Sequence, residues 1–292
     1  MSDEVNQRLV LAGLDPREVR RLVDVALDED LRFGSDVTTE STIRADQIAR
    51  AQVAARESGV VCGGPIALVV LEAVGFPLAG AKHDIVDGDV VEPGAVVMSL
   101  QGPLRALLVA ERTLLNFMTH LSGVASATYA WSQALEGTGC RVRDTRKTTP
   151  GLRQLEKYAV RCGGGVNHRM GLGDAALIKD NHVAATGSIT AAINDVRRRY
   201  PNVALEVECD TLEQVDEALS AGCSLLLLDN MSVGQIAEAV ELARPFPDVR
   251  LEASGGLTLA TAAEVAATGV DYVAVGSLTH SVRALDLGLD LL

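Results

Sequence analysis

From about residue 140 onward the sequence repeats one pattern: a short run rich in β-branched residues or leucine, a polar turn, and an amphipathic stretch of helical period. The runs occupy residues 141–144, 175–179, 203–208, 224–229, 249–254 and 271–276. Two helical stretches, 211–221 and 232–243, begin at a hydroxyl residue that can cap a helix. Strands that alternate with helices pair in parallel through right-handed crossovers, and a repeat of roughly 20 to 25 residues predicts a TIM-like α/β barrel. An open doubly wound sheet is the alternative.

The first 120 or so residues lack this repeat. Helical stretches at 16–30 and 65–74 flank a strand-like stretch at 49–56, and glycines and prolines then punctuate short strands. This pattern predicts a separate α/β domain. We expect a long helix over 104–135, broken or bent near Gly123, to connect this domain to the barrel. With 292 residues, 48% of them hydrophobic, the chain can bury the cores that such domains need.

The net charge narrows the range of partners. A formal charge of −13 argues against non-specific binding to nucleic acid or to an anionic membrane, because either polyanion would repel the surface. The first ten residues carry acids and do not resemble a secretory signal, and the apolar runs are far shorter than the roughly 20 residues that span a bilayer. The five cysteines form no C-x-x-C pair, so we expect reduced, mostly buried thiols. These features predict a soluble, cytoplasmic protein.

In a barrel of this type, the residues that bind and react lie at the carboxyl ends of the strands. The residues found there are Asp144, Thr145, Arg146, Lys147, Lys179, Glu208, Asp229, Ser254, Gly255, Gly256, Gly276 and Ser277. A charge at the end of a buried apolar run destabilises the fold unless a partner or a ligand meets it. These positions therefore indicate a ligand site, and mutually paired structural charges are the alternative for any one of them.

The basic residues cluster in one segment. Residues 141–182 hold nine Lys or Arg against four acids, a net charge of +5, so the remainder of the chain carries −18. A basic pocket in an acidic protein favours a small polyanionic substrate. Arg153, Lys157 and Arg161 fall at helical spacing, which indicates a solvated helix face. The better candidates stand in loops or at strand ends: Arg146, Lys147, Arg169 and Lys179.

Two glycine-containing turns suggest phosphate binding. In Ser254-Gly255-Gly256 the glycines let the backbone approach an anion, and Gly276-Ser277 holds the equivalent position after the next strand. Loops after the last two barrel strands frequently bind phosphate. The string GLGDAA at 171–176 precedes a strand and therefore does not fit a dinucleotide-binding turn. His168 and His182 do not lie on one helix at the spacing of a zinc site.

The stretch DTRKTTPGLRQLEKYAVRCGGGVNHRMGLGDAALIKDNH, residues 144–182, closely resembles the core signature of the quinolinate phosphoribosyltransferases. The resemblance extends through ERTLLNFMTHLSGVAS, LEVECD, LLLLDN, EASGG and VGSLTHS, and so covers nearly the whole chain. It implies a type II phosphoribosyltransferase with two domains. These are an N-terminal α/β sandwich over 1–120, completed by 282–292, and an incomplete TIM-like α/β barrel over 121–281 that carries the site.

The resemblance also implies an activity: transfer of phosphoribosyl from phosphoribosyl pyrophosphate to quinolinate with loss of CO2, which gives nicotinate mononucleotide for the synthesis of NAD. It implies a cationic lining for the two carboxylates and the pyrophosphate, consisting of Arg146, Lys147, His168, Arg169 and Lys179, with Thr145 beside them. Glu208 and Asp229 would meet the ribose hydroxyls and the Mg²⁺ that arrives with the sugar pyrophosphate. The 5′-phosphate loops would be formed by Ser254, Gly255, Gly256, Gly276, Ser277 and Leu278.

Lys147, Lys179, Glu208 and Asp229 are the expected catalytic residues. In the family, the arginine that matches Arg112 contacts quinolinate across a two-fold dimer, so a homodimer is expected. Three alternatives stay open: a paralogue that is molybdenum-associated or specific for nicotinate, a phosphate-binding isomerase or lyase in which Lys179 forms a Schiff base, and a non-catalytic regulatory barrel. The number of carboxylate-binding cations favours quinolinate over nicotinate.

Overall fold

A computed structural model describes all 292 residues of the chain. The elements before residue 140 are α1 (Asp3–Leu11), α2 (Pro16–Leu31), α3 (Val37–Thr42), β1 (Ile48–Ala55), β2 (Gly59–Val60), α4 (Gly64–Ala73), β3 (Ala81–His83), β4 (Val90–Val91), β5 (Val96–Pro103) and α5 (Leu104–Ala134). The elements after it are β6 (Arg141–Arg143), α6 (Arg153–Cys162), β7 (Ala175–Ile178), α7 (Asp180–Thr186), α8 (Ile189–Arg199), β8 (Ala204–Cys209), α9 (Leu212–Ser220), β9 (Leu225–Asp229), α10 (Val233–Ala243), β10 (Arg250–Ser254), α11 (Leu259–Ala266), β11 (Tyr272–Ala274), α12 (Ser277–His280) and β12 (Leu287–Leu291).

Contacts divide the chain into two compact units. Unit 1 comprises residues 1–129, 148–164 and 279–292, and unit 2 comprises residues 130–147 and 165–278. None of the helices combines the length and the apolar composition that a membrane-spanning helix requires.

Unit 2 is built on one parallel sheet of six strands in the order β6-β11-β10-β9-β8-β7. Each of the six apolar runs forms one of these strands, as predicted. From β7 to β11 the strands follow in chain order, and β6, the first strand, pairs with β11, the last. A doubly wound sheet would reverse its order at a switch point, so this order excludes that alternative. Because β6 and β7 do not pair, the sheet is an incomplete α/β barrel, and the predicted fold class is confirmed.

Capping boxes set the starts of two helices in unit 2. The Thr211 hydroxyl accepts a hydrogen bond from the backbone N–H of Gln214, whose side chain accepts one from the Thr211 N–H. Ser232 and Gln235 make the same pair of bonds, at 3.3 and 3.0 Å. Each box satisfies N–H groups of a first turn that have no acceptor within the helix. The predicted helix starts at these two hydroxyl residues are confirmed.

Unit 1 combines an antiparallel sheet, β12-β1-β5-β3, with the packed helices α1, α2 and α4. Helix α4 has the sequence GPIALVVLEA, and seven of its ten residues are buried, so it needs no polar face. The outer strand of the sheet comes from the far end of the chain: β12 pairs with β1 from Ala51↔Leu291 to Ala55↔Leu287. The separate α/β domain predicted for the first part of the sequence is therefore present.

Residues 148–164 differ from the predicted domain boundaries. The sequence assigned 121–281 to the barrel, whereas this segment, which contains α6, lies in unit 1. Buried polar contacts within unit 1 hold it there. The fully buried Glu156 carboxylate accepts a hydrogen bond from the backbone N–H of Thr149 at 3.0 Å and lies 2.9 Å from Nε2 of His120 on α5. The solvated helix face predicted for α6 is wrong for Lys157, which is fully buried.

Helix α5 runs through Gly123 without a break, so of the predicted break or bend near this residue the break is absent. Gly123 instead permits a close approach of backbone to the helix. A Cβ at Gly123 would lie 2.3 Å from the carbonyl oxygen of Arg283 and 3.1 Å from Cα of Ala284. Since real Cβ atoms do not approach backbone so closely, the glycine permits contact between the helix and the chain that leads to β12.

Candidate active site

The carboxyl ends of the parallel strands in unit 2 surround a pocket of about 350 Å³. It is lined by Thr145, Arg146, Lys147, His168, Arg169, Leu177, Lys179, Glu208, Leu227, Asp229, Glu252, Ser254 and Ala274. Nine of these residues are predicted site residues. The four that sequence reasoning missed are Leu177, Leu227, Glu252 and Ala274.

The residues that line the pocket follow the alternation of side chains along a β-strand. Side chains two residues apart share a face of a sheet, so Lys179 stands above Leu177, Asp229 above Leu227 and Ser254 above Glu252. The upper members of these pairs are polar and lie at the carboxyl ends of the strands or directly after them. The lower members form the floor. This layering is typical of barrels. The floor residues could therefore have been predicted as the residues two positions before each predicted strand end.

A larger depression of about 650 Å³ lies in unit 1 at α1 and α2. It is open to solvent, and two of its three arginines pair with acids of the same helix: Arg20 with Asp24 at 2.7 Å and Arg21 with Glu18 at 2.9 Å. Most of its arginine charge is therefore already paired, so the pocket of unit 2 is the better candidate for a polyanion.

Two arginines meet in the pocket of unit 2. The Nε of Arg146 is buried and has no hydrogen-bond partner. The guanidinium of Arg169 donates to the carbonyl oxygen of Ala175 at 3.1 Å. Partial burial and the nearby positive charge of Arg146 lower the pKa of Arg169. Two cations that repel each other in a partly desolvated place are stabilised by an anion between them, so this wall of the pocket suits a carboxylate or a phosphate.

At the carboxyl ends of β7 and β8 a lysine faces an acid. Lys179 follows β7 and forms an ion pair with Glu208 of β8. Its backbone N–H donates to Nδ1 of His182 at 2.9 Å, which fixes the turn into α7. Glu208 is the more buried partner, with 12% of its side chain exposed against 43% for Lys179. The lysine is therefore the solvent-facing member of the pair, and the carboxylate lies closer to the sheet.

Asp229 is fixed by a residue that sequence reasoning missed. Asn230 follows it with a φ of 53°, donates from Nδ2 to Asp229 Oδ2 at 2.6 Å and donates from its backbone N–H to the carbonyl oxygen of Ser254 at 2.9 Å. A Cβ at Gly255 would lie 2.2 Å from Oδ1 of Asn230. The glycine is therefore needed so that the turn after β9 and the turn after β10 can approach each other.

We expect Gly255→Ala to destabilise the fold by about 1 to 3 kcal/mol, because its φ of 90° is strained for alanine and its Cβ would displace Asn230. Thermal unfolding of the purified variant measures this. Gly234→Ala is the matched control, since no atom lies within 4 Å of its Cβ position and the residue is in α10. Equal unfolding temperatures for the two variants would contradict the steric account of Gly255.

The floor carries a buried charge network. Arg143 of β6 pairs with Glu252 and lies 4.8 Å from the ring centre of Tyr272. Nε2 of His168 lies 2.7 Å from Oε2 of Glu206 and 3.9 Å from Oε1 of Glu252. Burial and the neighbouring charge of Glu206 raise the pKa of Glu252 to about 8, although Arg143 opposes this.

The other predicted site residues lie outside the pocket lining. Gly255 and Gly256 follow β10 with φ of 90° and 60°. Gly276 lies between β11 and α12, and Ser277 is the first residue of α12. The Leu278 side chain is buried, so its backbone alone is available to a ligand. Arg112 belongs to α5 in unit 1, where it is exposed and its side chain has no ion-pair partner.

The acids of the pocket suit a divalent metal bound together with a ligand. Glu208 and Asp229 end neighbouring parallel strands and offer carboxylate oxygens, the ligands that Mg²⁺ prefers. Two carboxylates do not complete the octahedral shell of this ion, which usually takes its other ligands from water and substrate phosphates. The donor set therefore fits a Mg²⁺ ion that enters with a phosphorylated substrate.

Two family models match most of the chain. The model described as the C-terminal domain of quinolinate phosphoribosyl transferase matches residues 124–290, and the model of the N-terminal domain matches residues 36–122. The chain belongs to the quinolinate phosphoribosyl transferase family. The resemblance that the sequence motifs indicated is confirmed.

Known members of the family are similar over nearly their full length. The chain is 52% identical over 269 residues to the nicotinate-nucleotide pyrophosphorylase [carboxylating] of Mycobacterium leprae, which covers 91% of this chain and 94% of that protein. It is 40% identical to a probable enzyme of the same name from Bacillus subtilis, over 94% of this chain and 93% of that protein. The crystal structure of nicotinate-nucleotide pyrophosphorylase from Ehrlichia chaffeensis superimposes with a TM-score of 0.87 at 39% identity and covers 93% of this chain and 98% of that chain.

Proposed function

We propose that this chain transfers the phosphoribosyl group of phosphoribosyl pyrophosphate to quinolinate and releases CO2 and pyrophosphate, giving nicotinate mononucleotide in the synthesis of NAD. One observation carries the proposal: Arg146 and Arg169 line the same pocket as Glu208 and Asp229. Such a pocket offers cations to a dicarboxylate and carboxylates to a sugar. The named relatives support the same reaction.

The first step exchanges one bond at the sugar. The ring nitrogen of quinolinate forms a bond to C1′ while the bond from C1′ to the pyrophosphate oxygen breaks, and the electron pair leaves with pyrophosphate. Positive charge develops on the ribose, and fixed carboxylates stabilise it without rearranging. Glu208 and Asp229 have this role. Lys147 and Lys179 stabilise the departing pyrophosphate, and Arg146 and Arg169 hold the substrate carboxylates.

Loss of CO2 then follows from the electronic structure of the substrate. The alkylated ring nitrogen is cationic, so the electron pair left at C2 when the C2–carboxylate bond breaks is stabilised by the adjacent charge, and C2 takes up a proton. The protein has to orient the ring and keep cations near the carboxylates. No step transfers electrons to or from a redox group.

The direct test is an assay with quinolinate labelled at its 2-carboxylate, phosphoribosyl pyrophosphate and Mg²⁺, with release of labelled CO2 as the readout. We expect release that depends on both substrates, with nicotinate mononucleotide as the product. Nicotinate in place of quinolinate should give little product. Efficient use of nicotinate would favour the nicotinate-specific paralogue, and no release of CO2 would refute the proposal.

A Schiff-base lyase fits the site less well. A lysine nucleophile needs an amine that is free to attack a carbonyl carbon, whereas the side-chain nitrogen of Lys179 is held by Glu208. Treatment with borohydride in the presence of a carbonyl substrate should therefore leave the mass of the protein unchanged.

We expect activity to depend on added Mg²⁺ or Mn²⁺. Glu208 and Asp229 would hold part of the coordination shell of such an ion, which would supply positive charge beside the departing pyrophosphate. Chelation with EDTA should abolish turnover, and Mg²⁺ should restore it. Stoichiometric zinc that is lost together with activity would contradict this assignment.

We further propose that two copies of the chain form a homodimer in which Arg112 of one protomer enters the pocket of its partner and binds a quinolinate carboxylate. The support is the exposure of this arginine on α5 and the absence of an ion-pair partner for it within the chain. An unpaired guanidinium on a helix is otherwise a solvated surface group of little energetic effect.

A cytoplasmic location is part of the same proposal. The chain is acidic, and four of its five thiols are buried and unoxidised. Cell fractionation tests this location, and recovery in a membrane or secreted fraction would contradict it.

A further inference from the structure

Both ring nitrogens of His168 face partners within the chain. Nδ1 accepts a hydrogen bond from the backbone N–H of Arg169 at 2.7 Å, and Nε2 lies 2.7 Å from Oε2 of Glu206. A ring whose Nδ1 is an acceptor carries its hydrogen on Nε2, and that hydrogen points at the Glu206 carboxylate. Only 7% of the His168 side chain is exposed. Both ring nitrogens are therefore engaged by groups of the chain itself.

The backbone around His168 is anchored at several points. The buried Asp144 carboxylate accepts from the His168 backbone N–H at 2.8 Å and from Asn167 Nδ2 at 2.6 Å. Beyond the histidine, the Arg169 guanidinium donates to the Ala175 carbonyl oxygen at 3.1 Å and lines the pocket. The direction of Arg169 thus depends on the backbone at 168–169, which the histidine ring holds.

We propose that Glu206 is a positioning residue for quinolinate: through Nε2–H it fixes the ring of His168, whose Nδ1 fixes the backbone of Arg169, and Arg169 binds a carboxylate of the pyridine. The inference rests on the proposed function. It makes His168 a support for Arg169, in addition to the direct substrate contact that the family resemblance implied.

The surroundings of Glu206 fit this role. It is 3% exposed, and Glu252 beside it is fully buried, so water does not compete for the hydrogen bond between Glu206 and the ring. Nε2 of His168 and carboxylate oxygens of Glu206 and Glu252 lie within 4.8 Å of one another, a spacing that a metal ion could also use. The hydrogen on Nε2 and the ion pair of Glu252 with Arg143 favour a hydrogen-bonded network over a metal site.

Glu206→Gln tests the inference by direct calorimetric binding of phthalate, an unreactive ring with two adjacent carboxylates, and by steady-state kinetics. We expect the affinity for phthalate and the apparent affinity for quinolinate to fall about 10- to 100-fold, as loss of an outer hydrogen-bond partner does at other preorganised sites. The KM for phosphoribosyl pyrophosphate should stay within about twofold of wild type. Glu241→Gln removes an exposed carboxylate from α10 and is the matched control.

A mutant cycle separates positioning from a general structural role. In an Arg169→Ala background, Glu206→Gln should have little further effect on phthalate affinity, because both changes remove the same contact. Additive losses, equal losses for both substrates, or unchanged phthalate binding by folded Glu206→Gln would overturn the inference. If Glu206→Gln does not fold, His168→Gln replaces it in the same cycle, and Glu206→Asp, which keeps the charge but shortens its reach, gives an intermediate loss.

Failure of the proposed function gives a different result. Wild-type protein that binds neither phthalate nor quinolinate and releases no CO2 refutes both proposals. Wild-type protein that binds and decarboxylates quinolinate, together with a Glu206→Gln variant that does so equally well, refutes only the positioning role.

Discussion

Lys147→Ala and Lys179→Ala should each lower kcat by a factor of about 100 or more while the protein stays folded, because each removes a preorganised cation to which we assign the stabilisation of departing pyrophosphate. Both residues line the pocket at strand ends of unit 2. Single-turnover release of pyrophosphate by purified variants measures the loss, and thermal unfolding verifies the fold. Lys179→Ala also leaves Glu208 without its ion-pair partner, so a moderate drop in unfolding temperature is expected for this variant alone.

Lys82→Ala is the control for these two changes. Lys82 is an exposed lysine of unit 1 that pairs with Asp84 at 2.6 Å, and its loss should leave kcat unchanged. Near-normal turnover by either pocket variant would remove that lysine from the set of catalytic residues. A loss of turnover in Lys82→Ala of similar size would show that the assay responds to charge in general.

Mixing two inactive variants, Arg112→Ala and Lys147→Ala, should restore about a quarter of wild-type activity. If the pocket takes Arg112 from the partner protomer, random exchange makes about half of the dimers mixed. Each mixed dimer then has one site with both defects and one site with neither. Activity is followed as subunits exchange, and mass spectrometry of the intact dimers verifies the exchange.

A second mixture shows whether the recovery has this cause. Lys147 and Glu208 line the same pocket of one chain, so mixing Lys147→Ala with Glu208→Gln leaves a defect in every site and should restore nothing. If exchange is complete and the first mixture also stays inactive, Arg112 acts within its own chain or has no part in binding.

Much of the pocket could be predicted from the sequence because parallel strands place their ends together. Once the six apolar runs are taken as parallel strands, Lys179, Glu208 and Asp229 have to lie at one edge of the sheet. Their charge at the ends of apolar runs marks them without any structure. The same reasoning stops at the sheet edge, so Glu206 and Glu252, which interrupt apolar runs within the strands, were passed over.

Other features depend on contacts that no local pattern encodes. Helix α6 follows β6 in the chain, and its charged residues suggested a surface helix. Its membership of unit 1 depends on partners far away in sequence, such as His120 for Glu156. Gly123 shows a similar limit, since glycine weakens a helix on average but here makes room for the backbone of Arg283. The positive φ of Asn230 is likewise set by the neighbouring turn at Gly255.

The pairing of β12 with β1 has a consequence for the order in which the protein can fold during synthesis. The outer edge of β1 is made early, but its partner, residues 287–291, leaves the ribosome only after all of unit 2 has been made. Until then an apolar sheet edge is open to pairing with another nascent chain. We expect a chaperone that shields strand edges to bind the nascent chain until β12 emerges, and a chain that ends before residue 287 to aggregate even though its pocket residues are all present.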